Sequence, residues 1–299
     1  MKTLNIIGAG RVGRTLAALW QQKRVFELQD VLTRTLHSAH AAVAFIGAGR
    51  ANEALAVMHA ADVWMLATPD GEIEHAIKAL AASGLLRAGD VVFHCSGAMP
   101  ASDLRSAVPA GVHVASVHPL KSFADPHDAV RTFAGTYCAA EGDPAALVVV
   151  MPAFAQIGAR VSEIEPHFKT IYHTASVMVC NYLTALMEAG LQCYEKAGLP
   201  RATASAMMEP LVRETVDNIF KLGTVKALTG PIARGDQTVV VKQLHALRDF
   251  DLRIAEIYRA LGTIALQLSQ AQGSANAEAL RALDGVFQEK VDRPGKLIP

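Results

Sequence analysis

Leu4-Asn5-Ile6-Ile7-Gly8-Ala9-Gly10-Arg11-Val12-Gly13 is a short apolar run that closes on a G-x-G-x-x-G pattern. Residues 4–7 read as a strand and residues 12–20 as a helix. A glycine pattern on its own is weak, but between a strand and a helix it is the phosphate-binding turn of a dinucleotide site. Gly8 permits the tight turn, Gly10 lets the backbone approach a pyrophosphate, and Gly13 lets the helix pack close to the sheet. Ala9, Arg11 and Val12 complete the turn, and the start of the helix offers free N–H groups and the positive end of its dipole.

Strand-like and helical runs alternate outward from this turn. Residues 28–33, 62–67, 90–94, 113–116, 136–139 and 160–164 read as strands, and 73–80 and 145–157 as helices. Such alternation predicts an α/β fold with a doubly wound, mostly parallel Rossmann sheet. Gly47-Ala48-Gly49 reads as a loop. From residue 166 the pattern is helical: 168–197, closed by Gly198-Leu199-Pro200, then 202–220, 237–248, 252–270 and 277–288. The reading is therefore a dinucleotide-binding domain over 1–165 and an all-α substrate and dimerisation domain over 166–299, with a loose tail at 292–299.

Composition narrows the function. The chain has 299 residues, 51% of them hydrophobic, with 28 basic and 28 acidic residues. A net charge of zero offers no basic field for nucleic acid. The first apolar run is too short for a signal peptide or a membrane span. Cys95, Cys138, Cys180 and Cys193 show no ligand spacing, so the sequence predicts no metal site and buried free thiols in a reducing cytoplasm.

The end of the second strand selects the cofactor. An NAD site places an acid there for the ribose 2′-OH, about twenty residues after the glycines. Thr33-Arg34-Thr35 stands there instead, and Arg34 can grip a 2′-phosphate, which points to NADP(H). Asp30 falls inside the strand. Ligands of such sheets lie beyond the carboxyl ends of the strands. Thr68, Pro69 and Asp70 follow one strand and are assigned to the nicotinamide-side ribose. Ser96 follows the next strand, and His118, Lys121 and Ser122 the one after; these are assigned to substrate.

Reducing C=O or C=N needs a proton or hydrogen-bond donor at the heteroatom. His173 can give a proton near neutral pH and Asn181 a hydrogen bond. On one α-helix their spacing separates them by about 12 Å and about 80°. That argues for separate roles, with His173 catalytic, Asn181 an anchor, and Lys169 the reserve donor. Arg234 and Asp236 sit in a glycine-rich turn that can aim the arginine at an anionic substrate.

Gly8–Gly13, Thr68-Pro69-Asp70-Gly71-Glu72-Ile73, His94-Cys95-Ser96-Gly97-Ala98 and His118-Pro119-Leu120-Lys121-Ser122-Phe123 follow one another in the first domain. Tyr172-His173-Thr174-Ala175, Asn181-Tyr182-Leu183 and Leu228-Thr229-Gly230-Pro231-Ile232-Ala233-Arg234-Gly235-Asp236 follow in the second. The set resembles a bacterial family of Rossmann-like proteins with a helical C-terminal domain of unknown function, often labelled NADP oxidoreductases of the deazaflavin-dependent type. Its layout is similar to ketopantoate reductase, pyrroline-5-carboxylate reductase and the 6-phosphogluconate dehydrogenase group. The stretch from Asn181 to Leu186 resembles a segment of ketopantoate reductase. Counted along it, His173 stands where those enzymes carry a catalytic lysine, and Val177 departs from their catalytic asparagine.

The resemblance implies a reductase and leaves the substrate open. Taken with the residues above, the reading is an NADPH-dependent reductase of a small, anionic keto or imino compound, ketopantoate-like reduction included, with hydride transfer to a second cofactor left open. The alternative is a dinucleotide-binding sensor or partner-binding protein on the same scaffold, because fold does not fix function. A homodimer through the helical domain is expected. Met178, Val179, Leu183, Leu186 and Met187, and again Ile254, Ile257, Leu261, Ile264 and Leu268, make helices apolar on most sides. The family resemblance points the same way.

Overall fold

Eight strands form one sheet in the computed structural model, which describes residues 1–288. In chain order come β1 (Thr3–Ile7), α1 (Arg11–Lys23), β2 (Glu27–Leu32), α2 (Leu36–Ile46), β3 (Arg50–Asn52), β4 (Val63–Leu66), α3 (Asp70–Ala82) and β5 (Val91–His94). Then follow α4 (Ser102–Arg105), β6 (His113–Pro119), α5 (Pro126–Arg131), β7 (Tyr137–Gly142), α6 (Pro144–Gln156) and β8 (Arg160–Glu163). The strand order is β3-β2-β1-β4-β5-β6-β7-β8. Every pairing is parallel except β6 with β7. The chain leaves β1 for β2 on one side and returns to β4 on the other, so the crevice of a doubly wound fold opens beyond the ends of β1 and β4.

Val63-Trp64-Met65-Leu66 and Val91-Val92-Phe93-His94 are buried at every position, as central parallel strands covered on both faces must be. On one face Trp20 meets Phe26, Phe93 and Phe154 edge-to-face, and its indole N–H donates to the Ala153 carbonyl at 3.0 Å. On the other face Ile73, Ile77 and Leu80 of α3 and Leu104 of α4 pack on Trp64 and Val92.

Several expectations change. The sequence gives no sign of β3, which follows the Gly47–Gly49 turn. Asp30, buried in β2, fixes that edge by accepting from Arg50 Nε and Asn52 Nδ2, both at 2.8 Å. β6 runs on to Pro119 because β7 pairs with it as far as Cys138, so His118 is a strand residue and not a loop residue. The helix expected over 168–197 is interrupted. A 3₁₀ turn (Pro166–Phe168) leads into α7 (Lys169–Ser176), and a π-helical turn (Val177–Asn181) separates that from α8 (Tyr182–Lys196). Cys138 is buried but Cys180 is exposed, unlike the thiol expected there.

The chain divides into two compact units, Met1–Tyr182 and Leu183 onward, where the sequence placed the break at 165/166. Residues 166–182 group with the sheet because Lys169 is buried among sheet residues. The second unit continues with α9 (Arg201–Leu222), α10 (Thr224–Ala227), α11 (Pro231–Arg234), α12 (Gln237–Phe250), α13 (Leu252–Gln272) and α14 (Ala277–Gln288). Its core is Val240, Leu244, Ala255, Leu266, Leu283 and Phe287. Among the described residues no helix is long and apolar enough to cross a membrane. The tail at 292–299 lies outside the described residues.

Candidate active site

Gly8 has φ +87°, the left-handed region that favours glycine, and a Cβ there would stand 2.7 Å from the Thr68 backbone nitrogen. A Cβ on Gly13 would stand 2.7 Å from the Gly8 carbonyl oxygen and 2.9 Å from Ala67 Cβ, so α1 can pack this close to β4 only with glycine there. A Cβ on Gly10 would meet nothing within 4 Å. The first bond back into α1 runs from the Arg14 N–H to the Gly10 carbonyl at 3.1 Å, which leaves the N–H groups of Arg11, Val12 and Gly13 ahead of it. No side chain caps this end and no acid stands in its first turn. These residues fit the pyrophosphate of a dinucleotide: the donors are free and the approach at Gly10 is open. Thr68 Oγ1, beside the turn, is buried without a hydrogen-bond partner among the described residues.

At the end of β2 the Thr33 hydroxyl donates to the Thr35 carbonyl at 2.8 Å, and Thr35 caps α2 by accepting from Ser38 N. Arg34 is exposed between them, with no ion-pair partner among the described residues. One carboxylate enters this region that the sequence did not reveal. Glu53, just after β3, accepts from the Leu36 N–H at 3.1 Å.

A second group of polar side chains gathers at the same carboxyl edge, after β4, β5 and β6. Asp70, in the first turn of α3, accepts from the Ser96 hydroxyl at 2.8 Å. Ser96 Oγ also accepts from Ala98 N at 3.2 Å and Met99 N at 3.1 Å. One donor and two lone pairs are all a hydroxyl has, so Ser96 is saturated and shapes the loop. Above that loop stand two imidazoles. His118 and His173 meet edge-to-face with ring centroids 5.5 Å apart. A Cβ on Gly97 would lie 2.4 Å from His173 Nδ1 and 2.8 Å from His118 Nε2, so the absence of a side chain at Gly97 is what admits both rings. The Tyr172 hydroxyl stands 3.3 Å from His118 Nδ1.

The electrostatics of this group are set by burial. Desolvation, with His173 and Lys169 nearby, pushes His118 down to about 4, against the pull of Asp70. His118 is therefore neutral at neutral pH. Burial first, and then Cys138, raises Tyr172 to about 12, so its hydroxyl keeps its proton. In the tautomer that accepts from Tyr172 at Nδ1, His118 carries its own N–H on Nε2, the atom over Gly97. His94, on β5, is held at about 3 by burial and by Lys169. His173 Nδ1 is buried and without a hydrogen-bond partner among the described residues.

The remaining assigned residues have other partners or surroundings. Lys121 Nζ donates to the Thr132 carbonyl at 3.1 Å, at the end of α5, and Ser122 is exposed. Lys169 is buried in an ion pair with Glu141, and burial lowers its pKa against that pairing. Asn181 is exposed in the π-helical turn, whose extra residue changes the angle to His173 computed for a regular helix. Arg234 and Asp236 belong to the second unit, where Arg234 is exposed and Asp236 caps α12 by accepting from Val239 N at 3.1 Å. Sequence reasoning missed Gly97, Tyr172, Glu53 and Glu141. The first two lay inside motifs already singled out; the other two carried no local signal.

Residues 2–119 match a Rossmann-like domain, and residues 136–265 match a domain of unknown function, DUF2520. No curated protein matches the chain in sequence. Among solved structures, a Thermotoga maritima protein is 23% identical with a TM-score of 0.72, over 90% of this chain and 99% of that one. A Bacteroides fragilis protein described as a candidate NADP oxidoreductase is 21% identical with a TM-score of 0.67, over 91% and 97%. The pyrroline carboxylate reductase of Plasmodium falciparum, solved with NADP bound, is 14% identical with a TM-score of 0.54, over 96% and 98%.

Proposed function

From a chain that joins a Rossmann-like domain to a DUF2520 domain, we propose an NADPH-dependent reductase of a small, anionic keto or imino compound. One observation carries this reading: an unbroken path of contacts along the carboxyl edge of the sheet. It runs from Gly8 to Thr68, through Asp70 to Ser96, and over Gly97 to His118 and His173. This path supports reading the phosphate-binding turn and the pair of imidazoles as two ends of one site in the first unit.

Arg11, Val12 and Gly13 would hold the pyrophosphate by their N–H groups, and Arg34 the 2′-phosphate. The bound nicotinamide supplies the hydride. His118, neutral and oriented by Tyr172, offers its Nε2–H to the substrate heteroatom. His173 Nδ1, left without a protein partner, is assigned the proton that the heteroatom gains.

The test follows absorbance of the reduced nicotinamide with a panel of 2-ketoacids and cyclic imines. Turnover with a member of the panel supports the reading. Tight NADPH binding with turnover on none of them favours the sensor, and no NADPH binding overturns both.

We also propose that the protein is a homodimer through its helical unit. Only Ala204 and Met208 of the 22 residues of α9 are buried. Met207, Leu211 and Phe220 are exposed, Phe220 at 86%. A groove of about 590 Å³ beside α9 is lined by Met187, Met208, Val212 and Val216 together with Ser205, Glu209, Arg213 and Asp217. Exposed Met207, Leu211 and Phe220 on one helix support a partner surface, and a second copy brings the same surface.

A further inference from the structure

Behind the histidines lies a buried charge pair that the reduction does not use. Glu141 on β7 and Lys169 at the start of α7 are each 1% exposed, and Ser116 on β6 is 0% exposed. Glu141 Oε1 accepts from Lys169 Nζ at 2.9 Å and from Ala101 N at 2.8 Å. Lys169 Nζ also donates to Ser116 Oγ. Ser116 stands opposite Glu141 in the β6–β7 ladder and two residues before His118, on the same face of the sheet.

These bonds reach both halves of the site. Lys169 precedes Tyr172 and His173 by three and four residues, the spacing that puts all three on one side of a helix. Ala101 closes the loop 96–101, which contains Gly97. A single carboxylate oxygen therefore ties the helix that carries His173 to the loop that lies beneath its ring. Burying an ion pair is a poor way to gain stability, because desolvation offsets the attraction and an apolar pair of similar size often does as well. What the pair supplies here is geometry.

We propose that Glu141 is a positioning residue: through Lys169 and Ala101 it fixes α7 and the Gly97 loop together, so that His118 and His173 meet over Gly97. The proposal rests on the reading of these histidines as the proton-handling end of the site.

The test uses the full chain without ligand and reads the histidine ring resonances by NMR. Glu141→Gln alone strands the buried Lys169 charge and can fail to fold, so the informative protein is the double variant Glu141→Gln/Lys169→Met. It buries no charge there, and methionine refills most of the volume of the lysine stem. It is expected to fold, with the ring-to-ring cross-relaxation between His118 and His173 lost and the resonances of His37 and His40, exposed on α2, unchanged. Retained cross-relaxation between the two rings in the folded double variant would overturn the proposal. Failure of that variant to fold would overturn it too, since the pair would then be required for folding and not for position. Neither outcome depends on turnover. A wild type that oxidises no NADPH sinks the reductase reading and leaves the resonance result standing.

Discussion

Replacing Gly97 with alanine isolates the histidine pair from the rest of the site. Gly97 is not among the glycines with positive φ, so alanine meets no backbone penalty and the effect is purely one of space. The new methyl carbon would stand 2.4 Å from His173 Nδ1, where ordinary contact begins at 3.4 Å. The imidazole must therefore retreat by about 1 Å, the difference of those two values. His118 also faces the methyl, at 2.8 Å, and is tied to Tyr172, so that ring does not yield freely. Displacing a reacting group by about 1 Å costs on the order of a hundredfold in rate. The same crowding should lower stability by about 1–3 kcal/mol. The assay is single-turnover oxidation of NADPH, with NADPH titration and urea unfolding on the same protein. A fall of about a hundredfold in rate with NADPH affinity unchanged is expected, because the Gly8–Gly13 turn is untouched. A folded Gly97→Ala protein with full turnover would refute the placement of the reaction over this loop.

At the cofactor's far end, Arg34→Ala should weaken NADPH about ten- to a hundredfold and NADH little, measured by calorimetry. Glu53→Gln should strengthen NADPH, since it removes a carboxylate from the start of α2; equal affinity of the wild type for both cofactors would sink this assignment. His173→Ala should cut turnover about a hundredfold or more and spare NADPH binding, and full activity would make that ring structural. The depressed histidines give a pH dependence whose sign is fixed. Between the ordinary value of 6.5 and about 4, His118 binds a proton in the unfolded chain but not in the folded one. Stability is then fully present above that window and lost as pH falls through it, by roughly 3 kcal/mol for His118. Denaturant midpoints that stay flat from neutral pH into this window would contradict it. Light scattering at micromolar concentration should show a dimer that Leu211→Glu with Phe220→Glu converts to monomer, and a monomeric wild type would count against it.

What could be read from the sequence was local. The Gly8–Gly13 turn declares itself because strand, turn and helix are contiguous and each glycine answers a constraint a few residues away. The all-buried strands β4 and β5 show as unbroken apolar runs for the same reason. The short edge strand β3 gave no signal: three residues cannot display a period, and the residue that holds it, Asp30, lies 20 residues earlier than Arg50. The site failed to show itself in a different way. A serine after a strand looks available to substrate, but Ser96 has already spent its one proton and both lone pairs on Asp70, Ala98 and Met99. A lysine one turn before His173 looks like a spare acid, but Lys169 is bound to a carboxylate 28 residues away, which in turn holds an N–H 40 residues from itself. Residue type fixes what a group can do, whereas prior commitments fix what it is free to do. In this chain those commitments are made across strands, so the free groups, His173 Nδ1 and the N–H groups at the start of α1, can be told from the committed ones only after folding.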